Sequence, residues 1–199
     1  MVMDPGDTRI NLRSVKTLCI DSNTQGLEIL GQMLMGFGVE RIARAQSGEE
    51  ARRILSGEVM DLVLCDAVLS DETGYELIRW LRRSELDPNR YAPIVVVSGH
   101  TRLSGIALAR DGGANFVVAK PLSPATLMQR ILWVARGGRK FVEAEHFTGP
   151  DRRFKYEGTP GGGAGRRKED LKVALGDAKD PNLSQDEINS VIKPQKVSL

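Results

Sequence analysis

The sequence predicts an α/β fold, a doubly wound five-stranded parallel sheet, on three observations. Short apolar runs alternate with stretches in which apolar residues recur every three or four positions. The short runs are apolar on both faces, as strands are when helices cover both sides of a parallel sheet. The apolar residues, 41% of the chain, are concentrated before about residue 136, which gives one folded unit followed by a polar tail.

The elements follow in order. "VKTLCI" reads as the first strand. Leu27, Leu30, Met33, Leu34 and Phe37 share one helical face, and "GFG" ends that helix. "VERIARA" is the second strand, and "SGEEARRIL" opens a helix with Ser47 three residues before Glu50, the spacing of a capping box. Next come the strand "DLVLCD", a helix through "YELIRWLRR", the strand "PIVVVS", and a helix through "LSGIALAR" closed by "DGG". The strand "FVVA" and a helix from "SPATLMQRILWVAR" complete the alternation of five strands with five helices. Cys19 and Cys65 sit inside apolar runs without a nearby histidine, so they read as small buried hydrophobes in a reducing compartment rather than zinc ligands. On this pattern residues 1–14 are an N-terminal extension, 15–137 the folded domain, and 138–199 a low-complexity polar tail, mostly disordered.

Composition narrows the function. A formal net charge of +2 argues against a protein that neutralises many phosphates, so no DNA partner is expected. There is no membrane-length apolar run, and "MVMDPGDTRINLRS" is acidic and polar where a secretory leader is basic and then apolar. A cytoplasmic protein is the expectation.

In a doubly wound sheet, ligands and chemistry gather at the carboxyl ends of the strands. Those ends carry Asp21, Asp66, Ser98 and Lys120, from the first, third, fourth and fifth strands. Taken singly, such an aspartate is often a turn former, such a serine a helix cap and such a lysine a solvated loop residue. Together they line one crevice. Two carboxylates hold a hard cation such as magnesium through oxygen, with a backbone carbonyl and waters completing the shell. An ammonium and a hydroxyl donate to phosphoryl oxygens. Such a pocket is suited to receiving a phosphoryl group on a carboxylate.

The blocks "LCIDSN", "DLVLCDAVLSDETGYELIRWLR", "PIVVVSGH" and "GGANFVVAKPLS" resemble the receiver domain of bacterial two-component response regulators, in the family's order and spacing. The resemblance implies a flavodoxin-like sheet of order 2-1-3-4-5 over residues 15–137. It makes Asp66 the phosphoacceptor, fed by a histidine kinase, a phosphotransfer protein or a small phosphoryl donor. It gives Lys120 and Ser98 to the phosphoryl oxygens, and assigns magnesium to Asp21, Asp66 and the carbonyl of Val68. The domain is then a signalling module, with phosphotransfer to itself as its only chemistry.

Departures from the family pattern are visible. Ser22 stands where a second acid, commonly a direct metal ligand, is expected, and a hydroxyl serves a hard dication less well than a carboxylate. Weakened magnesium binding is the expected consequence. Ser70 replaces a proline, which alters loop stiffness. Val117 occupies the place of the aromatic switch residue, with Phe116 one position early, and His100 lies where the lifetime of the phosphoryl group is tuned in similar proteins.

In the tail, "DRRFK" and "GRRK" are basic clusters offset by neighbouring acids, and "GTPGGGAGRRK" lacks the strand and the Gly-Lys-Ser/Thr of a phosphate-binding loop. "NLSQDEINSVI" is more specific. Ser184 and Glu187 have capping-box spacing, Leu183 and Ile188 form a staple, and Ile188, Val191 and Ile192 share one face until Pro194. This amphipathic helix near 184–192 is too short to be stable alone, so it is expected to fold by docking. "LSQDEI" resembles the N-terminal peptide of the flagellar motor switch protein that chemotaxis regulators recognise. The implied partner is another receiver or a flagellar or chemotaxis component, met through Leu183–Ile192, with the tail competing for a receiver's output face, its own or another's.

Two functional readings follow. The first is a stand-alone response regulator of a phosphorelay, signalling by protein–protein contact. The alternative is a degenerate receiver acting as a phosphorylation-independent adaptor, which Ser22 and Val117 favour. An aspartyl phosphatase normally has a second acid two residues after the nucleophile, where this chain has Val68.

Overall fold

The computed structural model describes residues 11–99, 101–135, 140–144 and 147–151, together with Ser184, Gln185 and Ile188. Strands β1 (Lys16–Ile20), β2 (Arg41–Ala45), β3 (Leu62–Asp66), β4 (Ile94–Ser98) and β5 (Phe116–Ala119) form one parallel sheet in the order β2-β1-β3-β4-β5. Between and after them run α1 (Thr24–Gly36), α2 (Gly48–Gly57), α3 (Gly74–Arg83), α4 (Leu103–Gly112) and α5 (Pro124–Ala135). The predicted alternation and strand order are those observed. "VERIARA" yields strand only from Arg41, because Val39 is drawn into the turn after α1, where its N–H donates to the Leu34 carbonyl.

The core is the two-sided burial of β1, β3, β4 and β5, and Leu18, Ile20, Leu64, Ile94 and Val118 are fully enclosed. Cys19 and Cys65 are buried free thiols among them. Burial pushes the Cys19 pKa up to about 12 and that of Cys65 up as well, so both stay protonated and inert at neutral pH. The chain winds outward from β1 to β2 and then returns to β3. The register sets Ile20 beside Cys65, so Asp21 and Asp66 leave neighbouring strands side by side at that switch point.

Two local features differ from the sequence reading. At α2, Ser47 accepts from the Glu50 N–H (3.1 Å), but the Glu50 carboxylate reaches past it to the Gln46 N–H (2.8 Å). The full capping box is instead at α3, where Thr73 and Glu76 exchange both bonds. The second difference lies beyond residue 137. β6 (Phe141–Ala144) and β7 (Phe147–Pro150) pair antiparallel, with β7 packed on α3 and α4, so the described residues include strands beyond the predicted domain end. A two-stranded hairpin has too little apolar surface to stand alone, and its signal is correspondingly faint in the sequence.

What the hairpin covers is Arg82, a fully buried guanidinium. Its Nε donates to the Gly113 carbonyl (3.0 Å), its Nη1 to the carbonyls of Arg90 (2.6 Å) and Ala92 (2.8 Å), and its Nη2 to Asn115 Oδ1 (3.3 Å). Phe141 of the hairpin lies against its cationic face at 5.3 Å. Burial lowers the Arg82 pKa to about 9, which still leaves it charged at neutral pH. Gly113 ends α4 with φ 99°, and a Cβ there would meet the Thr148 carbonyl at 2.8 Å, so both conformation and hairpin contact require glycine. Replacing Arg82 by Met keeps much of the volume but strands the turn carbonyls of Gly113 and Ala92. The expected loss is about 2–4 kcal/mol, read from urea denaturation midpoints.

Candidate functional site

The carboxyl edge of the sheet holds one lysine between two acids. Lys120 Nζ donates to Asp21 Oδ2 at 2.8 Å and to Asp66 Oδ2. Asp21 is almost sealed from solvent (2% exposed), whereas Asp66 (14%) and Lys120 (32%) open to the crevice. The second oxygen of each acid is held by its own turn: Asp21 Oδ1 accepts the Asn23 N–H (2.9 Å) and Asp66 Oδ1 the Val68 N–H (3.0 Å). Burial pulls the Lys120 pKa down, but the hydrogen bonds and charges of Asp21 and Asp66 more than offset it, and the net shift is upward. The ammonium form is secure at neutral pH.

Ser98 is buried at the end of β4, and its carbonyl accepts the Lys120 N–H at 2.9 Å. The structure thus brings Asp21, Asp66 and Lys120 into direct contact, attaches Val68 through its N–H, and sets Ser98 beside them through the backbone of Lys120. Ser22 is solvent-exposed, and His100 lies outside the described residues. The oxygen-rich set of Asp21, Asp66 and the Val68 carbonyl fits a hard cation in chemistry. On β5, Val117 is buried, while the Phe116 ring meets Trp133 of α5 edge-on at 4.8 Å with Arg130 5.1 Å from its centroid.

The loop carrying Val68 is fastened to α2 chiefly by Asp71 and Glu72, which the sequence reading did not single out. Asp71 accepts the N–H groups of Gly48 (2.8 Å) and Glu49 (2.9 Å), and Ser47 accepts that of Glu50. These bonds satisfy three of the donors that a helix start leaves open. Glu72 takes both Nη atoms of Arg52, whose guanidinium stacks 4.9 Å from the Trp80 ring centroid. Ser70, in place of the family's proline, donates its hydroxyl to the Gln46 carbonyl at 3.3 Å. Gly74 closes the loop, since a Cβ there would fall 1.9 Å from the Asp66 carbonyl oxygen. "DETG" contained one readable signal, Thr73 three residues before Glu76. The pairing of Asp71 and Glu72 with α2 is tertiary and leaves no local trace.

On the outer side of β5 sits a piece of the tail. The Ala119 N–H donates to Gln185 Oε1 (2.8 Å), and Gln185 Nε2 donates to the Val117 carbonyl (3.2 Å). Ile188 is fully buried, and its N–H closes on the Ser184 carbonyl at 3.0 Å, one helical turn. The anticipated partners of that turn, Leu183, Glu187, Val191 and Ile192, lie outside the described residues.

A 2-1-3-4-5 parallel sheet with an acid pair and a lysine at its switch point defines a doubly wound signalling domain of the receiver type. The model of the response regulator receiver domain matches residues 17–132, and the chain belongs to that family. It is 31% identical over 125 residues to the transcriptional regulatory protein GltR of Pseudomonas aeruginosa, covering 61% of this chain and 48% of that protein. The polar-differentiation response regulator DivK of Brucella ovis is 25% identical over 114 residues, covering 57% of this chain and 90% of DivK. This chain spans about half the length of GltR and 18% of the sensory/regulatory protein RpfC of Xanthomonas campestris. Among solved structures, a CheY-like receiver domain protein of Methanospirillum hungatei superposes with a TM-score of 0.56 at 26% identity, over 62% of this chain and 95% of that one. No helix among the described residues is long and apolar enough to cross a membrane.

Asp71 offers a direct test of the loop fastening. The two N–H bonds and the positive end of α2 hold its pKa below the ordinary carboxylate value. A depressed acid contributes stability that is present above its unfolded pKa, about 3.9, and lost as pH falls through the lower folded value. Asp71→Ala is therefore expected to cost about 0.5–1 kcal/mol at pH 7, and the difference from the native chain should shrink below about pH 4 in denaturation series.

Proposed function

We propose that this chain is a stand-alone response regulator of a phosphorelay, with Asp66 as its phosphoacceptor. The observation that carries the reading is the Lys120 ammonium held between Asp21 and Asp66 at the switch point of the sheet. A carboxylate oxygen of Asp66 attacks the phosphorus of a phosphohistidine in line. The new O–P bond forms as the N–P bond breaks, and the imidazole leaves with that electron pair and takes up a proton. Lys120 exchanges its contact with Asp66 for one with a phosphoryl oxygen, and the Ser98 hydroxyl donates to another.

Receiver domains generally bind magnesium at the acidic pocket; here Asp21, Asp66 and the Val68 carbonyl would hold it, and it would supply neutralising charge to the phosphoryl oxygens. Ser22 leaves that set short of one carboxylate. The donor is a histidine kinase or phosphotransfer protein in the cytoplasm. Output is by protein contact, with another receiver or a chemotaxis or flagellar component as the downstream partner through Leu183–Ile192. The 90% coverage of DivK supports a receiver acting without an attached effector.

Ser22 also favours a second reading, an adaptor that works without phosphorylation. Magnesium and a radiolabelled small phosphoryl donor separate the two. Label is expected on the native chain and absent from Asp66→Asn; label that persists in the variant, or never appears on the native chain, removes the first reading. Restoring the missing acid with Ser22→Asp should tighten magnesium binding about tenfold or more by calorimetry. An unchanged affinity would show that residue 22 does not face the cation.

A further inference from the structure

Helix α1 carries three glycines, Gly26, Gly31 and Gly36, although a glycine in a helix is less favourable than an alanine. None of the three has a positive φ, so backbone conformation does not call for them. The space around each is different. At Gly36 a side chain would meet nothing within 4 Å. At Gly31 it would meet Arg44 Nη2 at 2.5 Å, the far end of an exposed side chain that is able to swing aside. At Gly26 it would overlap Asp21 Oδ2 and lie 2.9 Å from Asp21 Cγ.

Asp21 has no such freedom. It is 2% exposed, its Oδ1 accepts the Asn23 N–H at 2.9 Å, and its Oδ2 accepts from Lys120 Nζ at 2.8 Å. A carboxylate on so short a side chain cannot turn clear of a Cβ at Gly26 and keep both bonds. It rests against the first turn of α1, in room that only glycine leaves. This seat carries more weight because Ser22 brings no second acid, so Asp21 alone decides what the turn after β1 offers to the pocket.

We propose that Gly26 is a positioning residue for the pocket: by leaving room for the Asp21 carboxylate, it sets the direction in which that acid faces Lys120 and the cation. The link to the cation rests on the function proposed above, whereas the seat itself does not. Two measurements on the full chain therefore read them apart.

The first is urea denaturation in EDTA, without magnesium or a phosphoryl donor, of Gly26→Ala, Asp21→Ala and the two combined. Gly26→Ala is expected to give no gain in midpoint, or a loss, while Asp21 is present. It should raise the midpoint once Asp21→Ala has cleared the seat, because only helix propensity then remains. Gly36→Ala, where a methyl group meets open space, should act alike in both backgrounds. Equal effects of Gly26→Ala in the two backgrounds overturn the proposal. Should Gly26→Ala fail to fold, recovery of folding in the combined variant supports the seat, and failure to recover overturns it. The second measurement is magnesium calorimetry. Gly26→Ala should weaken binding about fivefold or more, with Gly36→Ala matching the native chain. Native affinity in Gly26→Ala overturns the positioning role. A native chain that binds no magnesium would remove the cation from the function proposed above, and the denaturation cycle alone would then decide whether Gly26 seats Asp21.

Discussion

One ammonium shared by two carboxylates is the interaction on which the functional edge depends. Strand register forces Asp21 and Asp66 to emerge side by side, and two acids so close repel when both are ionised. Lys120 removes that repulsion from a position 99 residues beyond Asp21, at the end of the last strand of the sheet. Pocket and fold are thereby coupled, because the acids are compensated only when β5 has joined β4 and the Lys120 N–H has closed on the Ser98 carbonyl. The lysine is also the group that could leave one carboxylate for an arriving anion without exposing a buried charge, since it is partly solvated while Asp21 is not.

The two ends of the sheet solve opposite problems. At the carboxyl edge, charges are paired around a buried Asp21, with Asp66 and Lys120 open to the crevice, and the loop after β3 is held by outside supports: Asp71 on the start of α2, Glu72 on Arg52, and Ser70 on Gln46. These contacts supply by tertiary bonding some of the stiffness that a proline would give through its fixed φ. At the amino edge, Arg82 is buried against neutral oxygens, organising the turns before β4 and after α4 under a hairpin lid. A lysine would not serve there, because only the planar guanidinium reaches carbonyls in several directions at once.

Most of this fold was legible because its signals are local. Apolar runs at strand length, helical periodicity and "GFG" or "DGG" stops lie within windows of a dozen residues, and the carboxyl-end rule converts them into Asp21, Asp66, Ser98 and Lys120. What escaped was tertiary. Phe141 looks like an isolated aromatic in a polar tail until Arg82 and Tyr91 offer it a surface. Asp71 and Glu72 look like solvated loop acids until α2 is set beside them. The Ser47 box was read from correct spacing, yet Glu50 found a nearer donor in Gln46. Gln185 lay within a segment recognised as one that docks, but its amide acquires a role only once β5 is known to be an edge.

That edge is where one described piece of the tail meets the sheet. A sheet with five strands has two open margins, and they are protected differently. β2, "RIARA", exposes Arg41 and Arg44, charges that discourage pairing with another strand. β5, "FVVA", carries no charge, proline or bulge, and Phe116, Val117 and Val118 are buried, so its outer N–H and carbonyl need a partner or water. Gln185 satisfies them with a side chain, which can come and go without unravelling a strand. The peptide groups involved are consecutive: the Ala119 N–H faces outward to Gln185, and the Lys120 N–H faces inward to Ser98. Neighbouring amides in a strand alternate sides, so adjacent peptide groups of β5 serve the crevice and the outer edge.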